Sequence, residues 1–249
     1  MKRILLGFLS VVLLISCQKK LTFEEQQFSK KAVLSCKENC AEVSIKIPIA
    51  KNKTVAADSI NKGVFKAVEA VISFEKNPIQ SVNYDDLTAS FVNAYTELKT
   101  KFPDEIVGWE GDVKAKVLFQ SDKLLNIEIN FYTFTGGAHG YQGLVSLLFD
   151  AKTGKKMKNN DLFKNEKEFL VFAENKFRAK FKIPAKVNIN ATGFMFENEV
   201  FRLPENIFFT KTGMLLYYNQ YEAASYSDGS KDLIFTFDEI KPFLKDDLL

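Results

Sequence analysis

Histidine is nearly missing from this chain. Of 249 residues only His139 is one, and only Cys17, Cys36 and Cys40 are cysteines. A zinc site draws three or four ligands from such residues, and nothing here has that spacing, so no metal is implied. The sequence also lacks a nucleophile elbow, a P-loop and a dinucleotide fingerprint; no cofactor is expected and no catalytic residue can be assigned. Excess charge is absent, with 34 Lys and Arg against 31 Asp and Glu. The lysines are scattered among acids, which argues against nucleic acid as a partner. No repeat or low-complexity linker marks a domain boundary.

Long apolar runs are missing as well. The run Ile4 to Ile15, preceded by Lys2 and Arg3, falls short of the ~20 residues a bilayer span needs and matches a secretion signal. Leu14-Ile15-Ser16-Cys17 resembles the lipobox of bacterial lipoproteins, in which the cysteine is acylated and becomes the mature N-terminus; an ordinary signal peptide with a coincidental cysteine is the alternative. On the lipoprotein reading, residues 1–16 are the signal, 17–31 a lipidated tether and 32–249 the folded part. Several acyl chains on Cys17 give stable attachment to a lipid bilayer, where one alone binds marginally. By the sorting rule for such lipoproteins, Gln18 directs the protein to the outer membrane; the periplasmic face is the expected one, on no signal in the sequence. Removing the signal also removes Lys2 and Arg3, leaving a nearly neutral chain of 233 residues. That is long enough to bury a core as one large domain or two small intertwined ones.

Cys36 and Cys40 are spaced C-x3-C. In an exported protein a disulfide closing this short loop is favoured over free thiols, and on the chain-entropy model it stabilises by about 2 kcal/mol. Alternating Val43, Ile45, Ile47 and Ile49 predict a strand, which Pro48 confines to an edge or ends. Asp58 is the expected N-cap of a helix carrying Ile60, Val64, Val68, Val71 and Ile72 on one face. A second helix, from about Asp85 to Phe102, carries Leu87, Phe91, Tyr95 and Leu98. Both stripes read as packing faces. Trp109 to Val117 and Leu125 to Thr135 alternate as two strands, and Lys164 to Lys182 has helical spacing of Phe169, Phe172, Phe177 and Phe181, placing a helix over the sheet's inner face. The fold class is therefore α+β, with antiparallel sheet and packed helices.

Gly136-Gly137-Ala138-His139-Gly140 follows the second of these strands. Three glycines in five residues indicate positive φ or close backbone approach. His139 is open to three readings: a general base, a ligand contact or a hydrogen-bonded corner post, the last being favoured for a lone histidine. Asp150-Ala151-Lys152-Thr153-Gly154 reads as a hairpin turn. Tyr217, Tyr218, Tyr221 and Tyr226, with Asn219, Gln220 and Glu222, form a second aromatic and polar concentration. Such rings stack on sugars, anchor protein partners, or simply rim a sheet. If the two hairpins meet, Glu222 is placed to pair with His139.

The run Tyr132 to Gly140 (YTFTGGAHG), then Leu147 to Lys155 (LLFDAKTGK) and Asp161-Leu162-Phe163, resembles the extracytoplasmic domain of unknown function of RsiV-type anti-sigma factors and of the non-catalytic part of PdaC-type peptidoglycan deacetylases. Leu203 to Phe209, Thr212 to Tyr218, Tyr221-Glu222-Ala223 and Asp232 to Phe243 continue the likeness, which spans about Val33 to Leu244. The resemblance implies an α+β recognition module at the cell envelope; RsiV-type members bind lysozyme, and PdaC-type members carry a separate catalytic domain. This chain shows neither a transmembrane helix with a sigma-binding segment nor a deacetylase domain, and Gly140 stands where many relatives have proline. The expected function is non-enzymatic recognition of a lysozyme-like protein or of peptidoglycan through Gly136, Gly137, His139, Tyr141, Tyr221 and Glu222. The alternatives are an envelope polysaccharide hydrolase using His139 and Glu222, or an assembly component of an envelope complex.

Overall fold

A computed structural model describes residues 20–33, 40–73, 81–104, 107–246 and 248–249. The expected signal segment, the lipidation site Cys17 and the Cys36 half of the expected disulfide lie outside these described residues.

Five strands form the larger sheet, in the order β1-β2-β3-β4-β5: β1 Phe23–Lys31, β2 Glu42–Ala50, β3 Glu110–Gln120, β4 Leu124–Phe134 and β5 Tyr141–Asp150. Neighbours are antiparallel except β2 and β3, which run parallel. A parallel pair needs a crossover, supplied by helices α1 (Val55–Ile72) and α2 (Tyr84–Lys101). Thr54, not Asp58, caps α1, accepting from the Ala57 N–H at 3.2 Å. The stripe Ile60, Val64, Val68 and Ile72 packs with Leu87, Phe91 and Tyr95 of α2 onto Val43, Ile45, Ile47, Val113, Ile127 and Ile129 of the sheet. Phe102 lies past the end of α2 and is exposed.

Two expectations about the first two strands also need correction. Phe23–Lys31, within the expected tether, is a sheet strand in register with β2. It carries little apolar signal because it is an edge strand held by its ladder and by ion pairs, Lys46 to Glu25 at 2.9 Å and Lys51 to Glu24 at 2.6 Å. Pro48 neither ends β2 nor places it at an edge, since β2 runs on to Ala50 between β1 and β3. The bonds Lys51 N–H to Thr22 O and Ala32 N–H to Ala41 O set the alternation. It makes Glu25 and Pro48 a non-hydrogen-bonded pair. The missing N–H of Pro48 therefore faces β3, whose pairing with β2 stops at Lys46.

A second core belongs to the smaller antiparallel sheet, β6 (Asn206–Phe209), β7 (Gly213–Tyr218) and β8 (Lys231–Thr236), with helices α3 (Glu166–Lys180) and α4 (Phe237–Ile240). Phe169, Ala173 and Phe177 place α3 in this core and not over the five-stranded sheet's inner face. Leu124 of β4 and Leu148 of β5 are buried in the second core, while Ile127, Ile129, Leu147 and Phe149 of the same strands are buried in the first. Side chains alternate across a strand, so β4 and β5 are shared by both halves. At the other end of that outer face the sheet is open, with Glu110 and Gln142 exposed.

Candidate functional site

β5 is an edge strand, and the outward backbone groups of Leu144 and Ser146 at its middle are met by side-chain amides instead of a sixth strand. The Asn219 Oδ1 accepts the Leu144 N–H at 2.9 Å and its Nδ2 donates to the Leu144 carbonyl at 2.9 Å, reproducing the two bonds of a paired residue. One alternation further, the Asn206 Oδ1 accepts the Ser146 N–H at 2.9 Å. From β4, the buried Asn126 accepts the Phe209 N–H at 2.8 Å and donates to the Ser146 hydroxyl at 2.9 Å, and that hydroxyl donates to the Ile207 carbonyl. Capping an edge in this way satisfies its polar groups and blocks its pairing with another chain. It also fixes the segment after β7 against the first half of β5.

That segment meets the glycine corner. Gly136 and Gly137 have φ of +102° and +92°, and a Cβ on either would touch nothing within 4 Å. Positive φ, not crowding, is what requires glycine there. Gly140 differs, because a Cβ would stand 2.4 Å from the Tyr132 ring, which fills the place a side chain would take. The Gly140 carbonyl accepts the Tyr226 hydroxyl at 3.1 Å and lies 2.9 Å from the His139 Nδ1. The His139 ring stacks on Tyr226 at 4.0 Å between centroids and 23° between planes, and Tyr226 lies 5.6 Å from Tyr221. Three rings therefore run in contact across the junction. Tyr221 holds a φ of +68°, uncommon for an aromatic residue. The turn bonds Tyr221 N–H to Ala224 O and Glu222 N–H to Asn219 O, both 3.1 Å, hold it there.

Glu222 lies beside these rings and does not pair with His139. Its Oε1 accepts the Glu205 N–H at 2.7 Å and its Oε2 the Asn219 N–H at 2.9 Å. Desolvation by burial pushes the carboxyl above its ordinary range, with the Glu205 charge adding to the rise and the two backbone N–H groups partly offsetting it. Tyr141, packed 5.6 Å from Phe131, is also raised, by burial and then by the Glu222 and Glu205 charges. Glu222 is thus a brace between two backbone segments.

The expected site residues come together in two groups: His139 and Tyr221 through Tyr226, and Tyr141 with Glu222 through their charge interaction. Gly136 and Gly137 shape the corner through their positive φ. Sequence reasoning missed the amides Asn126 and Asn206 and the hydroxyl Ser146; the one available signal was polar residues standing at core-facing strand positions. Among the described residues, no group of His, Cys, Asp and Glu side chains gathers to hold a metal.

Two cores sharing β4 and β5, and two sheets clasped by amides, make this an α+β protein of two fused halves. Comparison with known proteins is more specific. Residues 34–142 match the family described as Deacetylase PdaC, and residues 160–238 match a protein of unknown function, DUF3298. A DUF3298 family member from Bacteroides fragilis superposes with a TM-score of 0.73 at 21% identity, covering 92% of this chain and 96% of its own. A DUF3298 family protein from Pseudomonas aeruginosa gives 0.68 at 22% identity, covering 93% and 97%. These matches are consistent with a PdaC/DUF3298-type domain. No curated protein matches it.

Proposed function

We propose that this protein is a non-enzymatic recognition module of the bacterial cell envelope. It is exported, held to the outer membrane through acylated Cys17 and closed near its N-terminus by a Cys36–Cys40 disulfide. It grips a lysozyme-like protein or peptidoglycan through the rings at the junction of its halves. The observation that supports this reading is the stack His139–Tyr226–Tyr221, with His139 and Tyr221 exposed, and Tyr141, which follows Gly140 in the chain, also open to solvent. Exposed, positioned aromatic rings combine large contact area with few torsions to freeze, which suits the centre of a binding surface.

The hydrolase alternative loses its chemistry, because Glu222 spends both oxygens on backbone N–H groups and shares no bond with His139 among the described residues. Titrating the full-length protein with a muramidase and with peptidoglycan fragments tests the proposal. Saturable binding that is lost in Tyr221→Ala, with an unchanged melting temperature, is expected. Absence of binding to both, or product release that depends on His139, refutes it.

A further inference from the structure

Next to the ring stack, on the same segment, is a cleft of about 310 Å³ between the start of β5 and the chain after β7. That volume is at the lower end of the about 300–1,000 Å³ of small-ligand pockets. No charged side chain lines it. Its polar groups are amides and hydroxyls: Asn130, Gln142, Gln220, Tyr217 and Ser230, with Asn219 as a wall committed to Leu144. The alternation along β5 that turns the Leu144 N–H and C=O toward Asn219 turns those of Gln142 to the same side, where the row of capping amides has ended.

Gln220 is the telling residue. Its Oε1 is buried without a hydrogen-bond donor among the described residues, while its Nε2 makes only a 3.4 Å contact to the Tyr226 carbonyl. A buried acceptor left unmet costs free energy. The last torsion of a glutamine is broad, so turning the amide toward the cleft sacrifices one long bond and presents both an acceptor and a donor to an occupant.

Resting on the recognition reading above, we infer that this cleft binds an uncharged carbohydrate unit bearing hydroxyl and acetamido groups, a mono- or disaccharide in size. Neutral amides and hydroxyls pair with sugar hydroxyls and with an acetamido N–H and C=O. A phosphate or carboxylate finds no cation there. In a peptidoglycan strand the cleft takes the neutral N-acetylated sugar and leaves the lactyl-bearing acid outside.

The test titrates full-length protein in detergent micelles with diacetylchitobiose, cellobiose and digalacturonate, read by calorimetry and by ligand-detected NMR. Saturable binding of diacetylchitobiose in preference to digalacturonate is expected. Gln220→Ala and, at the exposed mouth, Gln142→Glu each weaken it about tenfold. Because Gln142 is exposed, the second variant keeps its melting temperature and guards against loss of fold in the first. Failure to bind diacetylchitobiose, equal binding of the anionic dimer, or affinity indifferent to both variants overturns the inference. Muramidase or peptidoglycan binding that is sensitive to Tyr221→Ala alongside such a failure leaves the ring-surface reading standing and removes the cleft alone.

Discussion

The amide of Asn219 carries the join between the corner and the segment bearing the rings, and changing one of its atoms tests that role. Asn219→Asp keeps shape and volume, and keeps an oxygen to accept the Leu144 N–H. It replaces the Nδ2 donor, 2.9 Å from the Leu144 carbonyl, by a second oxygen. The lost bond is worth about 0.5–1.5 kcal/mol, and a partly buried carbonyl left facing an oxygen costs about 1–3 more. The sum for this half-exposed site is about 2–3 kcal/mol at pH 7.5, or a fall of about 1 M in the urea midpoint for a chain of this size.

The charge decides the pH dependence. The introduced carboxylate faces a carbonyl and stands close to Glu222, whose Oε2 accepts the N–H of the same residue. Its pKa in the folded protein therefore rises above the ordinary ~3.9. A raised acid binds protons more tightly when folded, so the loss is complete above the folded pKa and is relieved as pH falls through it, when the protonated group again donates to Leu144. Asn219→Leu removes both bonds and has no such relief. Urea titrations of the three proteins at pH 7.5 and 4.5 give the comparison. Amide exchange at Leu144 adds a local readout, protected in Asn219→Asp and fast in Asn219→Leu. A pH-independent Asn219→Asp, or one as stable as wild type at pH 7.5, refutes the clasp as the joining element.

Three other substitutions probe the scaffold. Gly154 has φ +70° and a Cβ there would stand 2.3 Å from the Ala56 carbonyl oxygen, so Gly154→Ala is expected to cost about 3 kcal/mol by thermal or urea unfolding. In Glu222→Gln a donor replaces one of the two acceptors that serve the Glu205 and Asn219 N–H groups. A loss of about 1–3 kcal/mol is expected, and the gap to wild type narrows as pH rises through the raised folded pKa of Glu222, because ionising that buried carboxyl costs wild type stability. Partial burial raises the Asp150 carboxyl, but bonds from the Thr153 N–H and hydroxyl and the Lys152 N–H, with the Lys123 charge, outweigh it and hold the carboxyl below its usual range. Asp150→Ala should lose about 1 kcal/mol at neutral pH, a difference that disappears as pH falls below ~3.9 through the depressed folded value.

What the sequence made legible was local. The stripes of α1 and α2, the alternation of β3 and β4 and the Asp150–Gly154 turn all follow from spacing within one element, where side chains repeat at 3.6 or 2 residues. Strand β1 was hidden because Phe23 and Phe28 are its only large apolar residues, too few to set up an alternation. The parallel pairing of β2 with β3 spans two helices, and periodicity has no term for such a crossover. The aromatic concentrations at 136–141 and 217–226 could be named from composition. Their meeting could not, because it depends on contacts such as Tyr226 with Gly140, 86 residues apart, and Asn219 with Leu144, 75 apart. The pairing of His139 with Glu222 failed for a related reason: a carboxylate beside two unpaired backbone N–H groups is claimed by them first.

The segment from Asn219 to Ser230 presents rings on one side and a cleft wall on the other, which raises the question whether the two surfaces act together. It is fastened by the Asn219 amide to Leu144, by the Glu222 carboxylate to the Glu205 N–H and by the Tyr226 hydroxyl to the Gly140 carbonyl. Coupling between two sites requires an element with two arrangements that both sites bias. Two bonds run from the cleft's lining to the Tyr226 carbonyl: the 3.1 Å bond from the Gly229 N–H closes a backbone turn that filling the cleft leaves intact, and the 3.4 Å contact of the Gln220 Nε2 is too long to be worth more than about 0.5 kcal/mol. The surfaces are therefore expected to act independently. Diacetylchitobiose affinity in Tyr221→Ala should match wild type, and Gln220→Ala combined with Tyr221→Ala should give the sum of the single effects on peptidoglycan binding within about 0.5 kcal/mol. A larger departure from additivity would mean that the fastened segment moves as a switch between two positions, and that its three anchors do not hold it in one.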